Sequence, residues 1–125
     1  MTTVLVSAFL FLHGLIHLPI WLARTDGNQP FDPRHSWALA AAGLPGSRTA
    51  GAAAIGLAST TAVLYVIAGA ATATHSSGWS VAALTAACVG LLLKALWFHP
   101  WLSLGVVLDA GVITAVLTSW PASLY

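Results

Sequence analysis

The sequence predicts an all-α integral membrane protein, with four transmembrane helices in an up-down-up-down bundle and a short interfacial helix in the first connection. Three observations carry that prediction. Apolar residues make up 58% of the 125-residue chain and charged residues only 6%, whereas soluble domains carry about a quarter charged residues. Mean hydropathy is +0.89. The apolar residues also fall into four runs of about 20, the helix length that crosses roughly 30 Å of hydrocarbon. A water-soluble chain of this size would need more polar residues to cover its surface.

The spans read as about Thr3–Ala23, Thr49–Ala73, Trp79–Phe98 and Trp101–Trp120, in a single domain covering 1–125. The first has no basic residue before its apolar run and is longer than a secretory h-region, so it reads as a retained helix rather than a signal peptide. "THSSG" is a polar turn between the second and third spans. "FHPW" joins the third and fourth, with Pro100 suited to begin a helix because its missing N–H is not needed there. Short connections make sequential neighbours antiparallel. Within the long first connection, "DPRHSWALAAAG" predicts a short helix with Asp32 as cap, Pro33 in its first position and Gly43 at its end.

Tryptophans are expected to mark the membrane faces: Trp21, Trp97 and Trp101 at one, Trp79 and Trp120 at the other, with Trp37 at the headgroups. Small residues recur every four positions as Ala52, Gly56 and Thr60, and as Ala82, Ala86 and Gly90; these are the expected close-packing faces. Arg24, Arg34 and Arg48 lie in the first connection, and Lys94 about one turn from the same face. The positive-inside rule then places that connection in the cytoplasm and both termini outside. A net charge of +1 with no basic run excludes a nucleic-acid partner, and the single Cys88 excludes an internal disulfide or a multi-cysteine zinc module.

The polar residues inside these spans are the candidate site. His13 and His17 stand four apart in "FLFLHGLIHLPIW" and therefore share one helix face. Two imidazoles at that spacing can clamp one transition metal, zinc, copper or iron, once a third ligand joins them from His99, Asp109 or His35. Asp109 falls near mid-membrane, where a carboxylate costs a few kcal/mol and needs a partner or a task. His13 is the partner nearest in depth; Lys94 reaches it only by bending inward instead of snorkelling to the headgroups. His35, Lys94 and Asp109 are the candidate supporting or proton-relay groups. Gly14 thins the first helix beside the pair, and Gly105, one turn before Asp109, leaves room for a partner. Pro19 frees the carbonyl of Leu15.

"LHGLIHL" and "HPWLSLGVVLDAG", together with the size of the chain, resemble small uncharacterised bacterial four-helix membrane proteins in which an HG-x-x-H element opens the chain. The resemblance implies the four-helix fold and a bacterial inner membrane, and it carries over no catalytic residue.

Four functions compete. The first is an intramembrane site for a transition metal or haem built on His13 and His17 with His99 or Asp109. The second is a proton-coupled small transporter or channel subunit, in which Asp109 and the histidines pass protons and a homo-oligomer supplies the remaining wall. The third is a non-catalytic partner in a larger membrane complex, with the polar residues fixing helix register. The fourth is an enzyme acting on a lipid or quinone, with His13 as a base oriented by Asp109; no serine elbow or phosphate-binding loop accompanies it.

Overall fold

A computed structural model describes residues 1–22, 30–44 and 46–125, and all the regular structure in them is helical. Helix α1 spans Thr2–Leu22, α2 Trp37–Ala41, α3 Ser47–Ala73, α4 Trp79–Leu96 and α5 Ser103–Leu117. The last is preceded by a 3-10 turn, Pro100–Leu102. Four of these segments are long and apolar enough to cross a membrane: α1, α3, α4, and Pro100–Leu117 taken together. The expected end of the first span at Ala23, and Arg24 beyond it, lie outside the described residues.

The helix ends follow from local chemistry. Pro100 opens the 3-10 turn as expected, and the ring of His99 caps it by accepting the Trp101 N–H. The cap of α2 departs from expectation. Ser36, not Asp32, accepts the N–H of Leu39, and Pro33 lies outside the helix. Asp32 is instead held by the Arg34 backbone and guanidinium in a turn upstream. Gly43 closes α2 as expected, at a φ of +67°, with Gly43 N–H bonded to Ala40 and Leu44 N–H to Leu39. The final carbonyls of α4, which have no partner within the helix, are taken up by this first connection. Ser36 donates to Leu96 and the Trp37 indole to Ala95, while Trp97 donates back to Pro33.

Helix α1 packs along α3, α3 along α4, and α4 along α5. Along the remaining seam, between α1 and α5, the backbones come close at few points. Two apolar clusters fill the interior. Leu10, Tyr65, Ala68, Trp79, Ala83, Ala86, Ala87 and Val112 make one. Trp21, Phe31, Ala50, Ala54, Ala58, Leu93, Trp97 and Leu102 make the other.

Two sequence expectations about these surfaces are corrected. Trp21, Trp97 and Trp79 are core side chains, not lipid-facing belts; Trp21 stacks edge-on against Phe31 and Trp97 where α1 and α4 end. Trp37, Trp101 and Trp120 remain exposed. On α3, the Ala52–Gly56–Thr60 face points outward, and the buried stripe is Ala50–Ala54–Ala58. The Ala86–Gly90 face of α4 does pack inward.

Candidate functional site

Every spanning helix carries a polar or glycine position where the two apolar clusters meet, Tyr65 being itself a member of the first. On α1, His13 and His17 fall between Leu10 and Trp21; on α3, Tyr65 follows Ala58. On α4, Gly90 precedes Leu93 and Lys94, and on α5 Asp109 precedes Val112. The folded bundle brings these positions to one level, where they form a single hydrogen-bonded network.

Asp109 is its centre and is 0% exposed. Its Oδ1 accepts from His13 Nε2 at 2.7 Å and from the Tyr65 hydroxyl at 2.6 Å. Its Oδ2 accepts from Lys94 Nζ at 2.8 Å. Lys94 does not snorkel: it is 3% exposed, bends into the bundle, and also meets His17 Nε2 at 2.8 Å and the Gly90 carbonyl at 3.4 Å. His17 Nδ1 in turn meets the carbonyl of His13 at 2.8 Å. Among the described residues no buried side-chain nitrogen or oxygen lacks a partner.

Donor and acceptor roles follow from these contacts. An ammonium has only hydrogens to give, so His17 Nε2 accepts and its Nδ1 carries the proton that is donated to the His13 carbonyl. A carboxylate can only accept, so His13 carries its proton on Nε2. The two histidines therefore hold opposite tautomers although they share one helix face. One carboxylate against one ammonium leaves the cluster neutral, and three donors satisfy the carboxylate; that combination keeps a buried ion pair tolerable.

Three glycines make the room. A Cβ on Gly90 would come 2.6 Å from Asp109 Oδ2, one on Gly105 would come 2.6 Å from Lys94 Cε, and one on Gly14 would come 2.5 Å from Tyr65 Cβ. Gly14 and Gly105 match the sequence expectation of space beside His13 and Asp109, although the occupants are Tyr65 and Lys94.

The other expected site residues lie elsewhere. His99 is engaged at its turn cap, and its ring centre lies 6.2 Å from that of Phe31. His35 is exposed and bonded to Asp32 at 3.0 Å. Neither joins His13, His17 and Asp109, whose ligand-capable atoms lie within 4.8 Å of one another. Cys88 is exposed. Tyr65 is the participant that sequence reasoning missed; a tyrosine hydroxyl buried among alanines needs a partner, and that was the available signal.

Outside the spans, the hydrogen bonds and charge of Arg34 hold the Asp32 carboxyl down at about 2. Comparison with protein-family models, with curated proteins and with solved structures gives no match.

Proposed function

We propose that this is a small protein of the bacterial inner membrane whose working part is a proton-exchanging site inside the bundle, as in a proton-coupled transporter or channel subunit. The observation that carries the reading is the position of Lys94 Nζ, 2.8 Å from both His17 Nε2 and Asp109 Oδ2. Transfer of one proton from Nζ to Nε2 turns ammonium and imidazole into amine and imidazolium without moving a heavy atom. Asp109 balances the charge in either state. His17 and Lys94 also line a cavity of about 360 Å³ on the α1–α5 seam, so the network is not sealed on that side.

The reading takes the helices as an up-down-up-down bundle with both termini outside and the first connection cytoplasmic. With Lys94 buried in the network, the charge bias rests on the arginines, of which Arg34 and Arg48 are described and exposed. Trp37, exposed beside α4, suits α2 to the headgroup region. The outward Ala52–Gly56–Thr60 face of α3 suits contact with a second copy or a larger membrane complex.

The test is proton flux in proteoliposomes that enclose a pH-sensitive dye under an imposed potential. Wild type is expected to exceed empty vesicles, Asp109→Asn to abolish the excess, and His99→Ala to leave it unchanged. Flux in Asp109→Asn equal to wild type contradicts the reading.

A second reading, a bound zinc, copper or iron ion, is favoured by the 4.8 Å grouping of His13, His17 and Asp109. The ion would take the place of the Lys94 ammonium and so would compete with it.

A further inference from the structure

The polar network leaves one ring nitrogen unused. His13 Nε2 serves Asp109, and both nitrogens of His17 are engaged, but His13 Nδ1 has no hydrogen-bond partner among the described residues. With the proton on Nε2, Nδ1 is an acceptor. His13 is 6% exposed, and the cavity on the α1–α5 seam is where it meets open space, beside Ile16, Ile20, Leu104 and Leu108. A second cavity of about 500 Å³ continues along the same seam past Phe9, Val107 and Val112, and Leu108 lines both. The two walls are almost wholly apolar, and a volume of about 360 Å³ falls within the range of small-molecule sites.

An apolar, membrane-facing slot whose wall offers one accessible, unpaired acceptor selects a particular chemistry. A carboxylate or phosphate ligand would need a donor, and the Lys94 ammonium already spends its hydrogens on His17, Asp109 and Gly90. A ligand with only acceptors would find no hydrogen to take. We infer that the α1–α5 seam is a binding site for a lipophilic alcohol or phenol, whose hydroxyl donates to His13 Nδ1 while its apolar body lies along the seam between Ile16 and Leu104. Asp109 acts here as a positioning residue, because its bond to Nε2 fixes the tautomer that makes Nδ1 an acceptor. The inference adds a ligand class to the proposed proton-exchanging site and rests on that reading only for the charge states of Asp109 and Lys94. Binding needs no proton transfer.

The experiment compares 1-naphthol with 1-methoxynaphthalene, the same ring without the donor, by quenching of tryptophan emission in the full chain reconstituted in lipid nanodiscs, with empty nanodiscs subtracted. Trp21 and Trp101 line the cavity and report on it. Saturable binding of both is expected, tighter for 1-naphthol by about five- to tenfold, the worth of one net hydrogen bond. In His13→Phe the preference is expected to vanish while binding of 1-methoxynaphthalene persists. Ile16→Phe with Leu104→Phe, on the lipid-facing rim, should weaken both probes together. Equal affinities in wild type, no saturable binding, or a preference that survives in His13→Phe each overturns the inference. Should His13→Phe fail to fold, the wild-type comparison and the rim variant decide it alone. Hydroxyl-selective binding without proton flux would remove the proton reading and leave this one standing.

Discussion

Gly90 lies against Asp109 so closely that a Cβ there would come 2.6 Å from Oδ2 and 3.2 Å from the carboxylate carbon. The glycine on α4 is therefore part of how α5 can carry a carboxylate at all. Gly90→Ala must push Asp109 off Tyr65, His13 or Lys94. A loss of about 1–3 kcal/mol is expected, as for overpacking generally. Gly111→Ala, with nothing within 4 Å of the added carbon, should be neutral or slightly stabilising. Reversible unfolding in mixed micelles compares the two.

The charge pair predicts non-additive energetics. Asp109→Leu strands a buried ammonium and Lys94→Met strands a buried carboxylate, each expected to cost about 3–5 kcal/mol. The double variant removes both charges and should cost far less than the sum. The coupling in the double-mutant cycle is the measured quantity. Additive losses would mean that the two charges do not sense each other.

Metal competition follows from the same geometry. Because the Lys94 ammonium fills the space between His17 and Asp109, wild type should hold little zinc after dialysis, and Lys94→Met should retain more. Elemental analysis reads both. Stoichiometric metal in wild type would favour the metal reading over the proton one.

At the first connection, Asp32 gives a pH prediction. Its carboxyl is held at about 2 by the side-chain hydrogen bonds of Arg34, from an ordinary value of 3.8. A depressed folded value stabilises the turn fully above about 3.8, and the contribution is lost as pH falls through about 2. The Asp32 carboxyl resonance should titrate near 2, and near the ordinary value in Arg34→Ala.

Much of this arrangement was legible in the sequence. Length and hydropathy gave the four spans to within a few residues, because about 20 apolar residues have one use. The cost of burying charge marked Asp109, and helical spacing put His13 and His17 on one face. Rotation of the helices was not legible. Around these positions helix α3 is mostly small and apolar, so spacing alone does not separate Ala52–Gly56–Thr60 from Ala50–Ala54–Ala58. The inward Tyr65 shares its buried face. Lys94 was ambiguous for a similar reason. A long side chain one turn from a helix end reaches either water or a buried carboxylate, and only the position of Asp109 on α5 decides which. The tryptophans misled because a belt position and a position at the converging ends of two helices look alike in one dimension.

The most direct measurement is solid-state NMR on the reconstituted protein with ¹⁵N-labelled histidine, assigned with His13→Phe and His17→Phe. Opposite neutral tautomers are expected: His17 protonated at Nδ1 and bare at Nε2, His13 protonated at Nε2 and bare at Nδ1. The same neutral tautomer at both positions, or a neutral His17 protonated at Nε2 alone, would contradict the Lys94–His17 bond on which the proposed proton exchange depends.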